Sequence, residues 1–75
     1  CYLTGTEIDL ENPKSYQLDH IVPITRGGDN SLENCGLTTK IVNMSKTNMT
    51  VEEYISLCKK VLEYNGFSVS KLADK

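Results

Sequence analysis

The sequence predicts an α+β domain: a two-stranded hairpin followed by a helix, with a further C-terminal helix packed against them. Three observations predict it. Residues 16–24, YQLDHIVPI, mix aromatic and β-branched side chains in an extended pattern, as strands do. A polar Gly-Gly loop, Arg26 to Asn30, then separates that run from a shorter one at 32–37, so the two read as a hairpin-like excursion. Thr50-Val-Glu-Glu53 is a capping box opening a long run at helical period.

Taken in order, residues 1–15 carry the turn signals Thr4-Gly5 and Asn12-Pro13, with Ile8 and Leu10 alternating against Glu7, Asp9 and Glu11. They read as a short strand or extended segment and then a loop. The strand of 16–24 meets Pro23 near its end, which suits an edge strand because proline donates no ladder hydrogen bond. In it Leu18, His20 and Val22 share one face, with Asp19 and Ile21 on the other. Thr38 or Thr39 caps a helix running through about Lys46. Ile41 and Met44 give that helix an apolar side for the strands, while Lys40, Asn43, Lys46 and Thr47 follow the spacing of a polar one. Val51, Tyr54, Ile55, Cys58, Val61 and Leu62 form the apolar stripe of the second helix, predicted over 50–66 and read as core. Asn65-Gly66 is its stop signal. From Ser68 to Lys75 the pattern fades into a tail, and the four tyrosines read as packing residues with hydroxyls at the surface.

Seventy-five residues make one small domain whose core is marginal without a staple such as a metal, a disulfide or a partner. No run approaches the roughly 18–20 apolar residues of a membrane span, and no signal-peptide pattern is present, so a cytoplasmic setting, with no membrane partner, is expected. The chain begins at Cys1 rather than Met, as expected of a segment of a larger parent protein. Cys1, Cys35 and Cys58 form no C-x-x-C pair. Cys58 reads as a small core hydrophobe, and a Cys1–Cys35 bridge or shared metal is left open. The net charge of −2 is not that of a typical nucleic-acid binder. However, Asp29 and Glu33 fall in the loop, Lys40 and Lys46 fall near the helix face, and a bound divalent cation would reverse the local sign.

The stretch from Gln17 to Lys46 carries the chemistry. Asn34 lies 14 residues after His20 and Asn43 lies 23 after it. Phosphodiester hydrolysis needs an activated water and something to stabilise charge on the phosphate, and one metal ion with one general base covers both. Asp19 offers a carboxylate oxygen and Asn43 an amide carbonyl, the hard donors that suit Mg²⁺ or Mn²⁺. His20 is the sole histidine, and an imidazole titrates near neutral pH. Neighbouring strand residues point to opposite faces. Asp19 and His20 therefore share a site only at a kink, a bulge or a strand end.

With its DHIVP opening, R-G-G-D-N-S-L-E-N middle and N-M-S-K close, the stretch 17–46 resembles the HNH motif of the ββα-metal nuclease superfamily. The likeness extends more weakly upstream to Cys1–Gly5 and downstream to Glu53. It implies a ββα-metal core and a metal-dependent DNA endonuclease. His20 would be the general base, with Asn34 pinning the loop and helping to orient it, and Asp19 and Asn43 would be the metal ligands. Lys46, with Lys40 and Arg26, would contact the phosphate backbone of DNA. Asn43 stands where some members carry histidine, a variant that favours Mg²⁺ over Zn²⁺. Many members bind a structural zinc through two C-x-x-C pairs. The matching positions here are Cys1, Thr4, Thr39 and Val42, so no structural zinc is expected and the C-terminal helix takes over its stabilising role. The motif serves restriction, homing, phage packaging and CRISPR effectors. The Gly-Gly loop leans towards a free-standing enzyme of a bacterial or phage-infected cell, with a homodimer as one arrangement. The alternative is a non-catalytic nucleic-acid- or protein-binding module that keeps the fold.

Overall fold

A computed structural model describes residues 1–72. Strand β1 (Tyr16–His20) pairs antiparallel with β2 (Cys35–Thr39) in a regular register running from Tyr16 opposite Thr39 to His20 opposite Cys35. Helix α1 (Lys40–Lys46) follows β2 directly and packs across both strands, and α2 (Val51–Tyr64) comes after a short turn. The predicted α+β order of hairpin then helices is the order found.

Both strands are shorter than the sequence pattern suggests. Beyond His20, Ile21 N still donates to Asn34 O at 2.9 Å, but the backbone groups of Val22 are taken by one side chain rather than by a strand. The Asn34 amide accepts from Val22 N at 2.8 Å and donates to Val22 O at 2.9 Å. Residues 32–34 form a 3-10 turn instead of the start of β2. Gly28 lies so close to this crossing that a Cβ there would stand 1.8 Å from Val22 O, so only glycine fits. Of the two readings of residues 1–15, short strand or extended segment, no strand forms. That segment is held by turns, and the Tyr2 amide docks on β2 by donating to Leu37 O at 2.9 Å.

Packing departs further from expectation. Among the described residues no large apolar side chain is buried. The buried polar side chains are those of Asp19, Thr38 and Lys46. Helix α1 turns its predicted polar face inward: Asn43 and Lys46, three residues apart, meet Gln17 and Asp19, two apart on β1. Ile41 and Met44, assigned to the strands from their spacing, are 77% and 65% exposed. The physical reason is complementarity. The inward face of β1 carries Gln17 and Asp19, whose polar groups cost free energy if buried against aliphatic carbon, and α1 offers polar groups at matching spacing.

Helix α2 forms as predicted, with both arms of the Thr50–Glu53 capping box made. Its end is also as predicted, with Gly66 in the left-handed region at φ 93° and Phe67 N donating to Leu62 O. Its apolar stripe is not core, however. Only Val51 and Tyr54 of it are half-buried, while Ile55, Cys58, Val61 and Leu62 are exposed. The hairpin face that would receive the stripe is already occupied by α1. A bidentate ion pair from Arg26 to Glu53, at 2.9 and 3.1 Å, ties the loop to the start of α2. The predicted tail from Ser68 has no regular structure through Leu72, and its residues 73–75 lie outside the described ones.

Candidate active site

The residues singled out from the sequence group around the end of β1. A cleft of about 160 Å³ is lined by Asp19, His20, Pro23, Ile24, Thr25, Thr47 and Asn48. Asp19 and His20 share it without a bulge, since the register through both is regular and His20 is the last strand residue. Beyond His20 the chain turns under Pro23, and Asp19 and His20 both line the hollow at this strand end.

Asp19 is the better enclosed of the two. Its Oδ2 accepts from the Tyr2 hydroxyl at 2.6 Å and pairs with Lys46 Nζ at 3.0 Å. Lys46 Nζ also donates to His20 O at 3.2 Å, so one ammonium braces two successive residues of the strand. Asp19 Oδ1 makes no hydrogen bond among the described residues, and no buried side-chain oxygen there lacks a partner, so Oδ1 reaches solvent. Burial, reinforced by the neighbouring carboxylate, pushes the Tyr2 hydroxyl well above the ordinary tyrosine range and keeps it a donor.

His20 is exposed, and its Nε2 lies 2.9 Å from Asn30 Oδ1. An amide oxygen only accepts, so this contact puts the proton on Nε2 and leaves the lone pair on Nδ1. Asn30 sits in a loop with its own fastenings. Asn34 Nδ2 donates to Asp29 O at 2.8 Å, and Asp29 Oδ1 accepts from the Ser31 amide and hydroxyl. Those Ser31 bonds hold the Asp29 carboxyl below its usual range. Asn34 therefore spends its whole amide on the backbone of the loop, with no atom directed to the cleft.

The remaining sequence candidates are placed differently. Asn43 does not line the cleft; its Nδ2 donates to Gln17 Oε1 at 2.6 Å, one rung along the strand–helix seam from the Asp19–Lys46 pair. That bond anchors the nitrogen and leaves the carbonyl oxygen without a partner among the described residues. Lys46, expected at the phosphate backbone, is fully enclosed, because pairing with Asp19 satisfies its charge inside the fold. Arg26, expected there too, is held by Glu53, which raises the guanidinium's pKa and lowers that of Glu53 to about 2. Lys40 is exposed at the start of α1. All three cysteines are free thiols, with Cys35 and Cys58 exposed.

Sequence reasoning missed Tyr2, Gln17, Asn30, Thr47 and Asn48. The usable signal for Tyr2 was Gly36, which falls opposite Asp19 in the register and leaves an open slot there. Thr47 closes α1 with φ 50° and ψ −123°, a conformation costly for a β-branched residue, and it does so on the rim of the cleft.

A family model described as HNH endonuclease matches residues 1–51. The chain belongs to the HNH endonuclease family. The match takes in the docked N-terminal segment, the hairpin, α1 and the start of α2, and hence every residue of the cleft. Among curated proteins, the HNH chain is 36% identical over 58 residues to the CRISPR-associated endonuclease Cas9 of Staphylococcus aureus, covering 77% of this chain and 6% of that protein. It is 42% identical over 43 residues to the CRISPR-associated endonuclease Cas9 of Listeria innocua serovar 6a, covering 57% of this chain and 3% of that protein. The chain thus spans only a small part of these relatives. No solved structure matches it. Membership of a nuclease family makes nuclease chemistry the frame for the cleft. No helix among the described residues is long and apolar enough to cross a membrane.

Proposed function

We propose that this chain is a metal-dependent DNA endonuclease domain that hydrolyses phosphodiester bonds. The observation that carries the reading is the sharing of one small cleft by Asp19 and His20 in a chain of a nuclease family. The donor set suits a hard divalent cation: Asp19 Oδ1 and the Asn43 carbonyl are oxygen donors without partners among the described residues, and Mg²⁺ keeps several waters, so few protein ligands suffice. Asp19 and Asn43 would hold Mg²⁺ or Mn²⁺, and the ion when bound supplies Lewis-acid stabilisation of charge on the phosphate.

The chain's own residues do the rest. His20 Nδ1, freed by the Nε2 contact to Asn30, takes the proton from the attacking water. Lys46 keeps Asp19 and the His20 backbone in fixed relation, so base and ligand are positioned together. Asn34 holds the loop that carries Asn30, and through it acts on the histidine. Lys46 is enclosed in the fold and the exposed Arg26 is paired with Glu53, which leaves Lys40 as the exposed cation of the three with no ion pair among the described residues. Contact with the backbone alone reads little sequence, so specificity comes from elsewhere. The small share of the Cas9 relatives that the chain matches supports a cleavage segment within a longer effector over a free-standing enzyme.

Nicking of supercoiled plasmid with Mg²⁺ tests this. The wild type should nick, chelation should stop it, and His20→Ala should be slower by roughly 100-fold or more, as for loss of a general base. Equal nicking by the two proteins would remove His20 from the mechanism.

A further inference from the structure

The mechanism above gives no part to Tyr2, whose place in the fold is unusually specific. Its amide fastens to Leu37 O, and its ring lies over Gly36, where a Cβ would come within 2.5 Å of Tyr2 Cδ1. Gly36 is the cross-strand partner of Asp19. Side chains of paired residues project from the same face of a hairpin, so the missing side chain at Gly36 opens a slot beside the Asp19 carboxylate. Tyr2 occupies that slot, and its hydroxyl ends 2.6 Å from Asp19 Oδ2. Three independent features therefore converge on one oxygen: a backbone tether, a glycine slot and a short hydrogen bond.

We infer that Tyr2 is a positioning residue for Asp19: by holding Oδ2 from the slot over Gly36, it presents Oδ1 to the cleft as a single-oxygen ligand. This rests on the reading of Asp19 as a metal ligand. Lys46 cannot substitute for it alone. An ammonium on a flexible stem donates in several directions, whereas the phenol is rigid and arrives along a fixed line. With one oxygen pinned, the carboxylate cannot swing to offer both oxygens, and less ordering remains to be done when an ion binds. Outer-sphere hydrogen bonds of this kind typically govern metal affinity about 10- to 100-fold.

The test is Mn²⁺ titration of the full chain by isothermal calorimetry, with a thermal melt of each variant. Tyr2→Phe keeps the ring over Gly36 and removes only the hydroxyl. It should weaken Mn²⁺ binding by about 10-fold and leave the fold intact by circular dichroism. Gly36→Ala, which pushes the ring out of its slot without altering Asp19, should weaken binding to a similar degree. It stands in for Tyr2→Phe if that variant proves unstable. A purely structural role predicts the opposite: unchanged affinity for Tyr2→Phe, and that result would overturn the inference. Asp19→Ala separates the two levels. If it abolishes binding while Tyr2→Phe binds as the wild type does, only the positioning role falls. If Asp19→Ala binds as well as the wild type, or the wild type binds no Mn²⁺, the ligand reading fails and takes this inference with it.

Discussion

Lys46→Met removes the charge that most of the interior is built around, and its cost follows from the geometry. Lys46 is fully buried, the Asp19 side chain is 7% exposed, and the pair is 3.0 Å apart. Taking one partner from a buried ion pair leaves an uncompensated charge and costs about 3–5 kcal/mol. Two reliefs apply here: Tyr2 still donates to Oδ2, and Oδ1 reaches solvent, so the lower end, about 3 kcal/mol, is expected. A chain of 75 residues has about 4–11 kcal/mol of stability in all, so the variant should be close to its limit. At about 4–8 °C per kcal/mol, the melting midpoint should fall by roughly 12–24 °C. Chemical denaturation of wild type, Lys46→Met, Asp19→Asn and the double variant gives the coupling directly, and it should exceed about 1.5 kcal/mol. A loss below about 0.5 kcal/mol for Lys46→Met would refute the claim that this pair organises the interior.

Other positions carry their own expectations. Gly28→Ala forces a Cβ against Val22 O and should destabilise by about 1–3 kcal/mol by denaturant melt, at a position where alanine would ordinarily be harmless. Thr47→Gly relieves the positive-φ turn at the end of α1 and should raise stability by about 1 kcal/mol, measured the same way. The Glu53 carboxyl, lowered from 4.5 to about 2 by Arg26, contributes stability that is fully present above pH 4.5 and is lost as pH falls through about 2. NMR titration of that carboxyl should show the low midpoint in the wild type, and Arg26→Ala should return it towards 4.5.

How much of this was legible in the sequence depended on whether the signal was local. The hairpin, the Gly-Gly loop and the capping box rest on short-range chemistry: backbone freedom at glycine, a cap hydroxyl, an extended apolar run. The loop and the cap formed where the residues indicated, and the hairpin formed with shorter strands, its second one at Cys35–Thr39. The inward face of α1 was not legible, because helical periodicity sorts residues by polarity alone. It sent Ile41 and Met44 to the strands, whereas Gln17 with Asn43 and Asp19 with Lys46 satisfy one another across the seam. Nothing in a linear pattern says that two polar pairs are mutual partners. The same limit hid Tyr2, 17 residues from the carboxylate it touches, and Asn30, 10 residues from the imidazole it holds. The α2 stripe was legible as amphipathic but misread as buried. A stripe fixes the face of a helix, and only the tertiary arrangement decides whether another surface is left to receive it.

The central proposal is that Asp19, His20 and Asn43 serve one divalent ion, and paramagnetic relaxation tests it most directly. Substoichiometric Mn²⁺ added to the isotope-labelled protein should broaden the side-chain and amide resonances of these three residues first, while the far end of α2 near Tyr64 stays sharp. Broadening that spares Asn43, or that spreads evenly over the surface carboxylates, would contradict it.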